Sequence, residues 1–223
     1  MAKTRSYKLL CPIARALDRI GDRWTLLILR DLMAGPARFS ELQKGLKGIA
    51  ANLLTERLNK LTRDGLITQQ ELEHGVTVYV LTALGQKASD VVFELAMFGA
   101  NFGPEGDVIA PGNLRTVATT LGLAAKRVVP AGLQLDARIV VDAENIYLSA
   151  KNGTATVRYS EKPIDQDVAA TLVTSYAALM ALTDGELTMA AFLSDHSQVS
   201  AATPEAAQDF ALLMQEIIGL LGQ

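Results

Sequence analysis

The sequence predicts an α+β chain of two domains, a largely helical one over residues 1–103 and a mixed one over residues 113–223. Three observations lead there. Apolar residues recur at helical spacing through most of the first hundred positions, then alternate in strand fashion after about position 133. A Pro- and Gly-rich stretch, Gly103-Pro104-Glu105-Gly106-Asp107 followed by Pro111-Gly112-Asn113, separates the two patterns. Charge divides at the same place: residues 1–100 hold 14 Lys+Arg against 10 Asp+Glu, residues 101–223 hold 7 against 14.

In the first half, Pro12 opens a helix whose Ile13, Leu17 and Ile20 share a face. Gly21-Asp22 breaks and recaps the chain. Trp24, Leu27, Ile28 and Leu32 mark a second helix that ends at Gly35-Pro36, with Trp24 a core residue. Ser40 with Gln43 reads as a capping box for a short third helix through about Lys44. A fourth helix runs from about Asn52 to Arg63, with Leu54, Leu58 and Leu61 on one side. Leu66-Ile67 then starts a strand, Glu73-His74-Gly75 a hairpin turn, and Val76, Val78 and Val80 a second alternating run. Thr82 caps one long helix carrying Leu84, Val91, Val92, Leu95, Phe98 and Phe102. Four helices, a hairpin and a closing helix are the order of a winged helix-turn-helix domain, α with a β-hairpin wing.

Composition narrows the function classes. The chain has 223 residues, 49 % hydrophobic and 20 % charged, a globular composition with no run approaching a membrane span. A single cysteine, Cys11, excludes an intrachain disulfide framework and fits a reducing cytoplasm. The net charge of −3 conceals a basic start, with 13 Lys+Arg against 5 Asp+Glu in residues 1–63. Local positive charge on an acidic chain suits a phosphate-binding module. His74 and His196 lack the neighbouring ligands a metal needs, and Cys11 has no base beside it. No cofactor, metal or catalytic residue is therefore expected, and the chain does not read as an enzyme.

The fourth helix carries the chemistry. A major groove of B-DNA admits one α-helix, apolar behind and polar in front. Asn52 and Asn59 suit adenine, Glu56 suits cytosine, and Thr55 suits a thymine methyl; Arg38, Lys60 and Arg63 suit phosphates.

These residues also carry a resemblance. The Cys-Pro opening at 11–12, Gly-Asp-Arg-Trp-Thr at 21–25, Gly-Pro-Ala-Arg-Phe-Ser-Glu-Leu at 35–42, Leu-Thr-Glu-Arg-Leu at 54–58, Asp-Gly-Leu-Ile at 64–67 and Tyr-Val-Leu-Thr-Ala-Leu-Gly at 79–85 resemble the HxlR-type winged-helix regulators, over about residues 11–100. The resemblance implies a cytoplasmic bacterial transcription factor, a homodimer joined through its terminal helices on a palindromic DNA site. It also implies a redox sensor at Cys11, reacting with a thiol on another molecule, with Arg15 one helical turn away. The chain departs from the family at Ala50, where a hydroxyl residue usually caps the fourth helix. It departs again at Gln69 and Gln70, where an arginine is usual, and at a wing whose only potential cation is His74.

In the second half a helix from Leu114 to about Val128 precedes Pro130. Leu133/Leu135, Ile139/Val141, Ile146/Leu148 and Val157/Tyr159 then mark strands of a meander. Asp165 or Asp167 is expected to cap a helix through Leu172, Tyr176, Leu179 and Met180. A strand pair near Met189–Leu193 and Gln198–Ser200 leads to a last helix with Thr203 as cap and Pro204 in its first turn. Asp-Gly-Glu-Leu at 184–187 and Thr-Pro-Glu-Ala at 203–206 are similar to sterol carrier protein-like lipid-binding domains. That similarity implies an apolar cavity for a small hydrophobic ligand, walled by Tyr176, Met180, Met189 and Phe192; a core filled by methionine is the other reading.

Two functions follow as expectations. One is a regulator that binds double-stranded DNA and responds to a hydrophobic effector or to thiol redox, with no membrane association. The alternative is a lipid or acyl-ligand carrier with a vestigial DNA-binding module.

Overall fold

The computed structural model describes residues 6–72, 75–103, 113–183 and 185–222. Contacts divide the chain into two compact units, Met1–Ala96 with Pro104–Pro111 and Met97–Gly103 with Gly112–Gln223. The Pro- and Gly-rich stretch from 104 to 112 and the expected turn residue His74 lie outside the described residues. No helix among the described residues is long and apolar enough to cross a membrane.

The first unit begins with α1 (Pro12–Ile20), α2 (Thr25–Met33), α3 (Phe39–Gly45) and α4 (Ala51–Arg63). The hairpin β1 (Ile67–Leu72) and β2 (Val76–Leu81) follows, then α5 (Ala83–Gln86) and α6 (Ser89–Gly99). Its core is one cluster in which Ile28, Leu29 and Leu32 of α2 meet Leu42 of α3, Leu54, Leu58 and Leu61 of α4, and Ile67 of β1. Trp24 packs on this cluster half-buried, at the N-cap of α2.

Two local expectations change here. The expected cap of the third helix, Ser40 with Gln43, is not used. The N-cap is Arg38, two residues before Ser40, and the Glu41 carboxylate accepts from the backbone N–H of Arg38 at 2.7 Å. Glu41 holds the N3 position relative to Arg38, so its carboxylate reaches the free N–H that Gln43 cannot. The single helix expected after Thr82 is two. Thr82 caps α5 by accepting from Gly85 N, and its hydroxyl donates to Gly65 O at 2.6 Å. The backbone of this short turn packs closely on the hairpin base, where a Cβ on Gly85 would meet the Leu66 carbonyl at 2.0 Å. Past Gln86 the bonding tightens, with Lys87 N donating to Leu84 O and Ala88 N to Gly85 O, and α6 starts afresh at Ser89.

The second unit contains α7 (Leu114–Val128), β3 (Gln134–Val141), β4 (Glu144–Lys151), β5 (Thr154–Ser160) and β6 (Ala170–Thr174). After these come α8 (Tyr176–Thr183), α9 (Met189–Asp195), β7 (Ser197–Ala201) and α10 (Pro204–Leu221). The sheet order is β5-β4-β3-β6-β7. All neighbours are antiparallel except β3 and β6, which run parallel. β3 to β5 therefore form the expected meander, and the chain then crosses to the far side of β3. α7 and α10 pack on each other and on the sheet.

Two elements were expected differently. Residues 170–174 form a strand where a helix from Asp165 or Asp167 was expected, and the helix starts only at Tyr176. Thr171, Val173 and Thr174 are β-branched and find a partner in β3, 33 positions earlier by register. Met189–Asp195 is a helix rather than a strand, capped by the Thr188 hydroxyl accepting from Ala191 N at 3.2 Å. The five-residue apolar run Met189–Leu193 carries no period long enough to choose between the two, and the cap decides.

Candidate DNA-binding face

Helices α3 and α4 are joined by residues 46–50, in which Leu46 and Ile49 are buried and Gly48 turns at φ +93°. That left-handed turn reverses the chain between the two helices, and only glycine takes it without strain. Leu54, Leu58 and Leu61 are all within 1 % of full burial, so α4 is fixed by its back.

Two polar anchors set its rotation. The Lys60 ammonium donates to Asp18 O at 3.0 Å and Arg19 O at 2.9 Å, satisfying carbonyls at the end of α1. The Arg57 guanidinium lies 3.0 Å from the Asp22 carboxylate. Asp22 in turn accepts from Trp24 N and Thr25 N, both at 3.1 Å, and from the Thr25 hydroxyl, which caps the start of α2. Partial burial disfavours its charge. Hydrogen bonds from Thr25 and Trp24 and the Arg57 charge outweigh that burial and hold the carboxyl below its ordinary value.

The front of α4 is open. Asn52, Thr55, Glu56, Asn59 and Arg63 are exposed, and Arg38 is exposed at the start of α3. Asn52 Oδ1 accepts from Leu53 N at 2.9 Å, which leaves the Asn52 amide nitrogen outward-capable. The Thr55 hydroxyl donates to Ala51 O at 2.9 Å, so its methyl group is what it retains for contact. Glu56 pairs with Arg57 at 3.0 Å along the helix. Lys60, grouped by sequence with the phosphate contacts, is half-buried and committed to α1. Ala50 stands at the N-cap of α4 and offers no side-chain acceptor to the first-turn N–H groups.

Sequence reading gave Asp22 only a local role, recapping the chain after Gly21, and gave Arg57 none, although both lie in motifs it singled out. Their ion pair is the physical link between Gly-Asp-Arg-Trp-Thr and Leu-Thr-Glu-Arg-Leu. The wing pairs Ile67 with Leu81 through Leu72 with Val76, and Gln69 Nε2 donates to the Tyr79 hydroxyl at 3.1 Å. Ala37 bridges Tyr79 through two backbone bonds and fixes the hairpin to the start of α3. Cys11 is exposed at the N-cap of α1, where its carbonyl accepts from Arg15 N at 3.1 Å.

In the second unit, Tyr176 and Met180 are half-buried on α8 and Met189 on α9, while Phe192 of α9 is 1 % exposed. Tyr176 N donates to Asp142 Oδ2 at 3.0 Å.

Residues 19–107 match the HxlR-like helix-turn-helix family. The transcriptional regulator YodB of Bacillus subtilis is 31 % identical over 103 residues, covering 45 % of this chain and 92 % of YodB. The transcriptional regulator YtfH of Escherichia coli is 33 % identical over 90 residues, covering 39 % of this chain and 70 % of YtfH. The solved reduced form of YodB aligns with 31 % identity and a TM-score of 0.38, covering 44 % of this chain and all of that one. The chain belongs to the HxlR-like helix-turn-helix family of transcriptional regulators.

Proposed function

We infer that this regulator binds duplex DNA as a homodimer, inserting α4 into the major groove of each half of a palindromic site. The observation that supports this most is the division of α4 itself. Three leucines and two anchored cations hold its back, while Asn52, Thr55, Glu56, Asn59 and Arg63 stand exposed on its front. Asn52, Thr55, Glu56 and Asn59 read base edges, and Arg38 and Arg63 take phosphates. Lys60 serves the interface by fixing the helix, its ammonium held on the Asp18 and Arg19 carbonyls. Homodimer contact is assigned to the exposed apolar positions of the terminal helices: Leu10, Ile13 and Leu17 at α1, and Val91, Leu95 and Phe98 at α6.

The second unit holds the effector in this proposal, a small hydrophobic molecule against Tyr176, Met180, Met189 and Phe192. Helices α8 and α9, which bear these residues, pack on each other. Cys11 is the alternative input, a thiol open to oxidants and to a thiol of another molecule. An effector shifts DNA affinity only by binding one spacing of the two α4 helices better than the other.

Electrophoretic shift with the DNA upstream of the gene, across a salt series, tests the proposal. Sequence-selective binding that weakens steeply with salt is expected. Salt-insensitive or sequence-blind binding would refute it.

A further inference from the structure

The edge strand β7 points to a second surface. The register of β7 against β6 pairs Thr171 with Ser200 and Val173 with Gln198, and Ala202 N donates to Ala169 O at 2.9 Å. In an antiparallel ladder directly opposed residues alternate between bonded and non-bonded pairs. The Ala169–Ala202 bond therefore makes Thr171–Ser200 and Val173–Gln198 the bonded pairs. Asp142 N donates to Thr174 O, which confirms that Thr174 turns its backbone to β3 and away from β7. Ser197, Val199 and Ala201 consequently aim their N–H and C=O groups out of the sheet. No hydrogen bond to those groups occurs among the described residues.

This edge lacks the devices that usually close one. Ser197-Gln198-Val199-Ser200-Ala201 has no charge and no proline, and all but Ser197 are exposed. The opposite edge of the sheet, β5, carries Arg158 and is flanked by Lys151, Glu161 and Lys162. Val199 also ends an apolar row. Tyr159, Ile146, Ile139, Leu172 and Val199 lie side by side across the five strands on one face. Val199, the last of them, is 43 % exposed.

We propose that β7 pairs antiparallel with β7 of a second copy of this chain, centred on Val199. That register sets Val199 against Val199 and Ser197 against Ala201, the three residues whose backbone groups face outward. It carries the apolar row across a two-fold axis into the other sheet. It also keeps like charges apart, since Asp195 and Glu205 fall opposite Thr203 and Leu193. A same-sequence partner satisfies hydrogen bonding, apolar contact and charge together. The contact is independent of the α4 assignment.

The test uses the full chain with Cys11→Ser as background. Val199→Cys places two thiols on one face with Cα atoms about 5.5 Å apart, within disulfide reach. Gln198→Cys places them on the other face, two residues out of register and about 8 Å apart. Mild oxidation is expected to cross-link Val199→Cys at least about tenfold faster than Gln198→Cys. Separately, Val199→Pro in the native chain removes an outward N–H while leaving every bond to β6. The Ser197 and Ala201 amides should then exchange at least about tenfold faster than in the native protein. Equal cross-linking at 198 and 199, or unchanged exchange in the proline variant, overturns the pairing. Protection of those amides that survives dilution without any cross-link assigns the edge to another partner and overturns it too. DNA binding is scored in the same samples, so loss of one contact is separable from loss of the other.

Discussion

Lys60 reaches from the fourth helix to the backbone carbonyl of Asp18, 3.0 Å away, and so ties the proposed recognition helix to the end of the first helix. A lysine on an exposed-looking helix face thus acts inside the fold. Its removal should separate stability from phosphate contact. Lys60→Met is expected to lower the unfolding free energy of the first unit by about 1–2 kcal/mol, the scale of a charged hydrogen bond partly open to water. The salt slope of DNA binding should stay nearly constant. Thermal unfolding and a salt titration measure the two; a slope reduced by about 0.9 would return Lys60 to the phosphate contacts.

Arg38 and Asn52 should differ in kind. Arg38→Ala is expected to weaken all DNA sequences alike and to reduce the log–log salt slope by about 0.9. Asn52→Ala should cost about 1–3 kcal/mol on the preferred site and little on others. Competition binding with a randomised half-site distinguishes the two patterns. Identical profiles for both variants would contradict the assignment of α4 and α3.

Asp22 makes the first unit sensitive to acid. Its desolvated carboxyl is held below the ordinary 3.8 by Thr25, Trp24 and Arg57. A carboxyl with a lowered folded-state pKa stabilises fully above its unfolded value, and that contribution is lost as pH falls through the folded value. Stability should therefore decline below about pH 4 more steeply in the native chain than in Asp22→Asn. Chemical denaturation between neutral and acid pH follows this; parallel curves would deny Asp22 the role.

Gly122 of α7 sits against Val157 of β5, where an added Cβ would lie 2.5 Å from a valine methyl. Valine has little freedom at χ1 to withdraw. Gly122→Ala is expected to destabilise the second unit by about 1–3 kcal/mol. Adding Val157→Ala should recover part of that loss, a coupling that a double-mutant cycle reads directly. Strict additivity of the two changes would show that helix and strand do not meet as closely as described.

Much of this molecule is legible before folding. α4 appears within one residue of its predicted span because three leucines at helical spacing can be buried only one way, and the chain stop at Gly65 is local. α10 is equally plain, since Thr203, Pro204 and the apolar stripe act within a few residues of one another. The exposed polar row of α4 follows from the same spacing, so the candidate contact residues could be named from it.

What sequence could not decide depended on partners far along the chain. Residues 170–174 are a strand because β3 offers a parallel edge to pair with, and no local pattern announces that edge. Lys60 turned inward because Asp18 and Arg19 present carbonyls that sequence distance conceals. Arg57 and Asp22 became one feature only when α4 lay beside the start of α2. Sequence determined where α4 and α10 begin, which sides are apolar and where charge gathers, because those are set by neighbours within a turn or two. Tertiary structure alone decided which polar groups face each other and which face outward, because hydrogen bonds and ion pairs form at about 3 Å whatever the separation along the chain.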